Sequence, residues 1–138
     1  MKSNRFIHLF LMVVFFTFAF AASNSAIAEK TQVIVTEENQ KMLEGEWAGI
    51  WEKYSAGMLE WSAPASLNIR NDEALFSSDA KEWNAKILIK DGKVLMDFGY
   101  GTRKGTVYKT ENGLEMKIEY DSTWRGWSNK NYIELKKK

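Results

Sequence analysis

The chain has 138 residues, with 19 basic against 18 acidic side chains and a formal net charge of +1. A balance this even, with no basic block, lacks the counterion-releasing footprint of a nucleic-acid binder. There is no cysteine, and the one histidine, His8, lies in the first apolar run.

That first run reads as a targeting segment. Lys2 and Arg5 precede "FIHLFLMVVFFTFAFAA", and Ala26-Ile27-Ala28 supplies the small-x-small pattern that signal peptidase recognises. The run is about 17 residues, short of the roughly 20 that a spanning helix needs. We expect residues 1–28 to be a cleaved signal peptide and residues 29–138 a single exported domain, periplasmic or extracellular, with no stable membrane insertion. An earlier cut after Ala21 and a retained anchor are the alternatives. Loss of Lys2 and Arg5 leaves 17 basic against 18 acidic residues, and loss of His8 leaves no histidine. Ser-His and Cys-His nucleophiles are then excluded, as are the usual zinc, copper and iron ligand sets. No cofactor or metal is expected, and stability must come from packing instead of disulfides.

Taking the rest in order, Glu29 to Val35 is a polar tail with a short strand at "QVIV". "TEENQKMLEG" reads as a short helix, capped by Thr36, with Glu37 and Glu38 at its positive end and Gly45 at its C-terminus. From Glu46 onward the chain alternates with period two between turn residues. Strands are predicted over 46–54, 65–70, 73–78, 83–90, 93–99, 105–110, 114–121 and 131–136. Asp91-Gly92 and Asn112-Gly113 mark hairpin turns, and Asn71-Asp72 a third. In "LEMKIEY", Leu114, Met116, Ile118 and Tyr120 share one face and the charged residues the other. The fold class is therefore all-β: an antiparallel up-and-down barrel of about eight strands with a short N-terminal helical turn.

The stretch "LEGEWAGIW" places Gly45, Trp47, Gly49 and Trp51 on one face of the first long strand. Both indoles point inward, and Gly49 leaves a site that a neighbouring strand can approach closely. A helical turn leading into Gly45-x-Trp47 and then an eight-strand meander resembles the lipocalins and the wider calycin group, over about residues 36–136. That resemblance implies that the tryptophan closes one end of the barrel and that an arginine from near the last strand packs across it. Arg125 is the candidate. It also implies a ligand cup, here smaller than usual because the chain is short.

The candidate ligand-binding residues are Trp51, Met96, Phe98 and Tyr120 as walls, with Trp124, Arg125 and Trp127 of "DSTWRGWSN" as a loop at the rim. Aromatic and methionine side chains give large, adaptable apolar area, and Arg125 would supply an orienting charge. Each has a plainer reading, as core filling or as a lid folded over one mouth. Trp61, in the predicted loop "YSAGMLEWSAP", belongs to the same group. Catalysis has only carboxylates to draw on. Glu115 and Glu119 share a face but stand about 13 Å apart, too far for a glycosidase pair. The glycine-bearing stretch 99–105 is followed by no helix and reads as a flexible turn.

The expected function is a non-catalytic protein holding a small apolar or amphipathic ligand in or at the mouth of the barrel. The alternative is a recognition module for envelope carbohydrate, or a hydrolase inhibitor, working through the tryptophan-rich loops. N-terminal sequencing of the exported polypeptide should begin at Glu29; a chain retaining Met1 in the membrane fraction would overturn the signal assignment.

Overall fold

The computed structural model describes residues 29–138; the signal segment and its cut after Ala28 lie outside them. Strand β1 (Thr31–Val33) leads to a 3-10 turn (Gln40–Leu43). Eight strands come after it: β2 (Gly45–Ser55), β3 (Met58–Arg70), β4 (Glu73–Ser78), β5 (Lys81–Lys90), β6 (Lys93–Asp97), β7 (Thr102–Thr110), β8 (Gly113–Trp124) and β9 (Trp127–Lys137). Each pairs antiparallel with the next, and β9 returns to pair with β2, so β2–β9 form a closed up-and-down barrel.

The expected fold class stands, with corrections to its parts. The helix predicted over "TEENQKMLEG" shrinks to the four-residue turn. Thr36 does not cap it: its N–H donates to Asn39 Oδ1, and Asn39 Nδ2 donates to the Ile34 carbonyl. That side-chain loop satisfies the backbone locally and holds the segment out of a helix. The predicted loop 55–64 is largely strand, because a tight turn at Ala56-Gly57 starts β3 at Met58. Pro64 is tolerated there because pairing with β4 begins only at Ala65. The predicted loop 122–130 is a second long hairpin. Arg125 (φ 49°) and Gly126 (φ 82°) make its turn, with the two left-handed residues that the twist of a tight hairpin favours. At Asn112-Gly113 the turn falls one residue early, so that Thr110 pairs with Gly113.

Strand β1 has a specific task. β6 is short and pairs only with 102–105 of β7, and β1 takes the same edge of β7 at 107–109. The Val35 N–H then donates to the Gly92 carbonyl at 2.9 Å. An edge that would otherwise lie open is covered.

The two ends differ. At one, Leu43 and Trp47 are fully buried, and the Trp47 indole N–H donates to the Leu43 carbonyl at 2.9 Å. The short turn thus caps the tube and satisfies the plug's one donor. Among the described residues no arginine packs across it: Arg125 sits in a turn at the opposite end, and Lys137 reaches the Met42 carbonyl here instead. In one core with the plug lie Leu67, Ile69, Val94, Val107, Met116 and Leu135, all essentially inaccessible to solvent.

Gly49 decides how tightly β2 meets β9. A Cβ there would stand 1.7 Å from the Glu134 carbonyl oxygen and 2.8 Å from its carbon. Gly49→Ala must separate two strands and should cost at least about 4 kcal/mol, read as a fall in the urea midpoint. Gly57→Ala, in open space but at φ +79°, should cost only about 1–2 kcal/mol.

Candidate functional site

Strand alternation and the run of each hairpin bring the inward residues nearest the second end into a shallow cup. Its walls are Trp51 of β2, Phe76 of β4, Trp83 of β5, Met96 of β6, Ile118 and Tyr120 of β8 and Ile133 of β9, with Phe98, Tyr100 and Arg103 from the β6–β7 connection and the start of β7. The cavity is about 100 Å³. An apolar cavity of about 150 Å³ holds a benzene ring, so this smaller, open cup takes a short alkyl group or part of a ring and leaves the rest of any ligand outside.

Trp51 is the hub. Its ring lies 5.1 Å from Trp61, edge to face, 5.8 Å from Phe76, 6.1 Å from Trp83 and 6.4 Å from Tyr120. Its Nε1–H donates to Asn131 Oδ1 at 3.0 Å. Asn131, almost wholly buried on β9, passes the chain on by donating from Nδ2 to Ser122 Oγ at 2.8 Å. A buried amide is thus satisfied at both ends and fixes the orientation of the indole.

Tyr120 faces Arg103, whose guanidinium carbon lies 4.1 Å from the phenol ring centroid. Burial pushes the Tyr120 pKa above its ordinary value, while the nearby guanidinium pulls the other way. The phenol therefore stays a hydrogen-bond donor at neutral pH. Arg103 donates one N–H to the Thr102 carbonyl at 3.0 Å. Among the described residues no carboxylate lies within 4.0 Å of it, whereas Glu115 is held by Lys30 and Lys136.

Of the residues singled out from sequence, Trp51, Met96, Phe98 and Tyr120 meet in the cup. Trp124, Arg125 and Trp127 do not line it. Pairing of β8 with β7 stops at Ile118, so residues 119–124 run on without β7 as the outer part of the β8–β9 hairpin. Trp124 and Trp127 oppose one another across that hairpin at 64% and 70% exposure, with the Arg125 guanidinium 5.3 Å from the Trp124 ring centre. Solvent exposure this high is not that of a closed lid. Trp61 parts from them and packs on Trp51.

Sequence reasoning missed Arg103, Trp83, Phe76 and Asn131. Arg103 was hidden in the apparent flexible turn 99–105, although its even spacing from Gly105 and Val107, both buried, gives it the same inward face. Asn131 carries no sequence signal, since a polar residue on an inward face looks like a break in the pattern. Among the described residues no group of three or more potential metal ligands occurs, and no helix is long and apolar enough to cross a membrane.

No family model matches the chain, and no curated protein or solved structure matches it. The closed antiparallel barrel with one end plugged by a tryptophan is calycin-like in its architecture.

Asn131→Leu should strand the Trp51 N–H against an aliphatic side chain and cost about 2 kcal/mol, measured by thermal unfolding. A variant as stable as the parent would show that the amide does not hold the indole.

Proposed function

We propose that the protein is an exported, non-catalytic binding protein of lipocalin-like type that holds the apolar part of a small ligand in this cup. The observation that carries the reading is the asymmetry of the barrel. One end is sealed by Leu43 and Trp47, and the other keeps a cavity walled by aromatic rings, one methionine, aliphatic side chains and a single cation. Mostly apolar walls with few convergent polar groups are the usual make-up of a small-molecule site. The flexible Met96 side chain at the floor suits a site that adjusts to its occupant. Orientation falls to Arg103 and Tyr120, which line the cup, in place of Arg125, which does not.

No catalytic role is assigned. The carboxylates closest in sequence to the cup are engaged elsewhere or point away from it. Asp97 accepts the Gly99 N–H, and Glu119 lies on the outer face of β8.

One observation favours a second reading. Trp124 and Trp127 stand side by side and exposed, an arrangement that suits stacking on the sugar rings of envelope carbohydrate or insertion into a hydrolase cleft.

Native mass spectrometry of the protein purified from the exporting cell should show a small-molecule adduct that denaturation releases. Met96→Trp, which fills the floor of the cup, should reduce occupancy at least tenfold, and the double variant Trp124→Ala/Trp127→Ala should leave it unchanged. Loss of binding in the double variant alone would transfer the function to the hairpin tip.

A further inference from the structure

Arg103 is the only ionised side chain among the ten that line the cup, and none of the ten carries a carboxylate. A cation at the edge of an apolar cavity normally draws an internal counter-ion, because leaving it unpaired in partly desolvated surroundings is costly. Here the nearby acidic residues do not provide one. Asp97, next to Met96 on β6, is turned to the Gly99 N–H, and no ion pair of Arg103 is present among the described residues. The guanidinium instead lies over the Tyr120 ring, its carbon 4.1 Å from the ring centre, with one of its five N–H groups on the Thr102 carbonyl.

The local fold makes this position. β7 pairs with β8 only from Gly105 to Thr110, so Arg103 and Tyr120 lie just beyond the last shared rung, Gly105 with Ile118. They bridge the place where the two strands part. Polar donors thus gather on one side of the mouth, at Arg103 and the Tyr120 hydroxyl, while Phe76, Trp83, Met96 and Phe98 supply an apolar wall.

Resting on the reading of the cup as a binding site, we infer that its ligand class is a small organic carboxylate: one ring or short alkyl chain seated among the aromatic side chains, with its carboxylate on the Arg103 guanidinium. Charge complementarity selects the anion, since a fork of free N–H groups matches two carboxylate oxygens. Cavity size limits the apolar part. The Tyr120 ring, which now carries the guanidinium, keeps it in place for the incoming anion, and the phenol offers a further donor.

The test compares each acid with its neutral amide. Phenylacetate and hexanoate, with phenylacetamide and hexanamide, are titrated calorimetrically into the exported protein at physiological ionic strength. Both carboxylates should bind at least tenfold tighter than their amides. Arg103→Gln should remove that preference, bringing each acid and its amide within about twofold of one another, and Arg103→Lys should keep the preference at reduced affinity. Equal binding of acid and amide by the parent protein would overturn the inference and leave the cup as a neutral-ligand site. So would a preference that survives Arg103→Gln, since it would place the anion elsewhere. Binding by none of the four probes, with no change in tryptophan emission, would bring down the cup reading itself.

Discussion

β2 and β9 can close the tube only because position 49 carries no side chain. The Cβ that any other residue would place there coincides with the Glu134 carbonyl, so the seam depends on an absence. Once it is shut, two indoles leaving the same face of β2 are fixed at different heights. Trp47 falls on the 3-10 turn and becomes the stopper. Trp51, two residue pairs further on, becomes the centre of the aromatic wall at the other end. A single strand therefore sets both the sealed bottom and the furnished mouth.

Unequal strand lengths turn that closed tube into an asymmetric one. β6 has five residues while β8 and β9 have twelve and eleven. At the plugged end the shortfall is made up by β1, which completes the edge of β7. At the mouth nothing in the sheet makes it up, so β8 leaves β7 after Ile118 and continues as a two-stranded hairpin with β9. Arg103 and Tyr120 occupy the fork. The polar side of the cup is thus a consequence of where hydrogen-bonded pairing runs out, and the exposed indoles at the hairpin tip arise from the same mismatch.

Buried polar groups are usually a cost unless fully paired, and this barrel keeps one small network at the place where its rings converge. Asn131 joins the Trp51 N–H to the Ser122 hydroxyl, and no buried side-chain nitrogen or oxygen among the described residues lacks a partner. An aliphatic residue at 131 would offer comparable packing but would let the indole turn. Rigidity at the hub matters because four aromatic neighbours pack on that one ring.

Local rules made much of this legible in the chain itself. Alternation in "LEMKIEY" and "GEWAGIW", and turn chemistry at Asp91-Gly92, determine strand facing and a meander, because side-chain direction in a strand has a period of two whatever the strand pairs with. Trp51, Met96, Phe98 and Tyr120 were found as inward residues for that reason. The sequence could not say at which height a strand loses its neighbour. That depends on register summed around the closed sheet, and it put Trp124, Arg125 and Trp127 on a protruding hairpin while drawing Arg103 out of an apparent loop into the cup. Facing is a property of the single strand; the end at which a side chain lies, and what stands beside it, is decided only when all eight strands close.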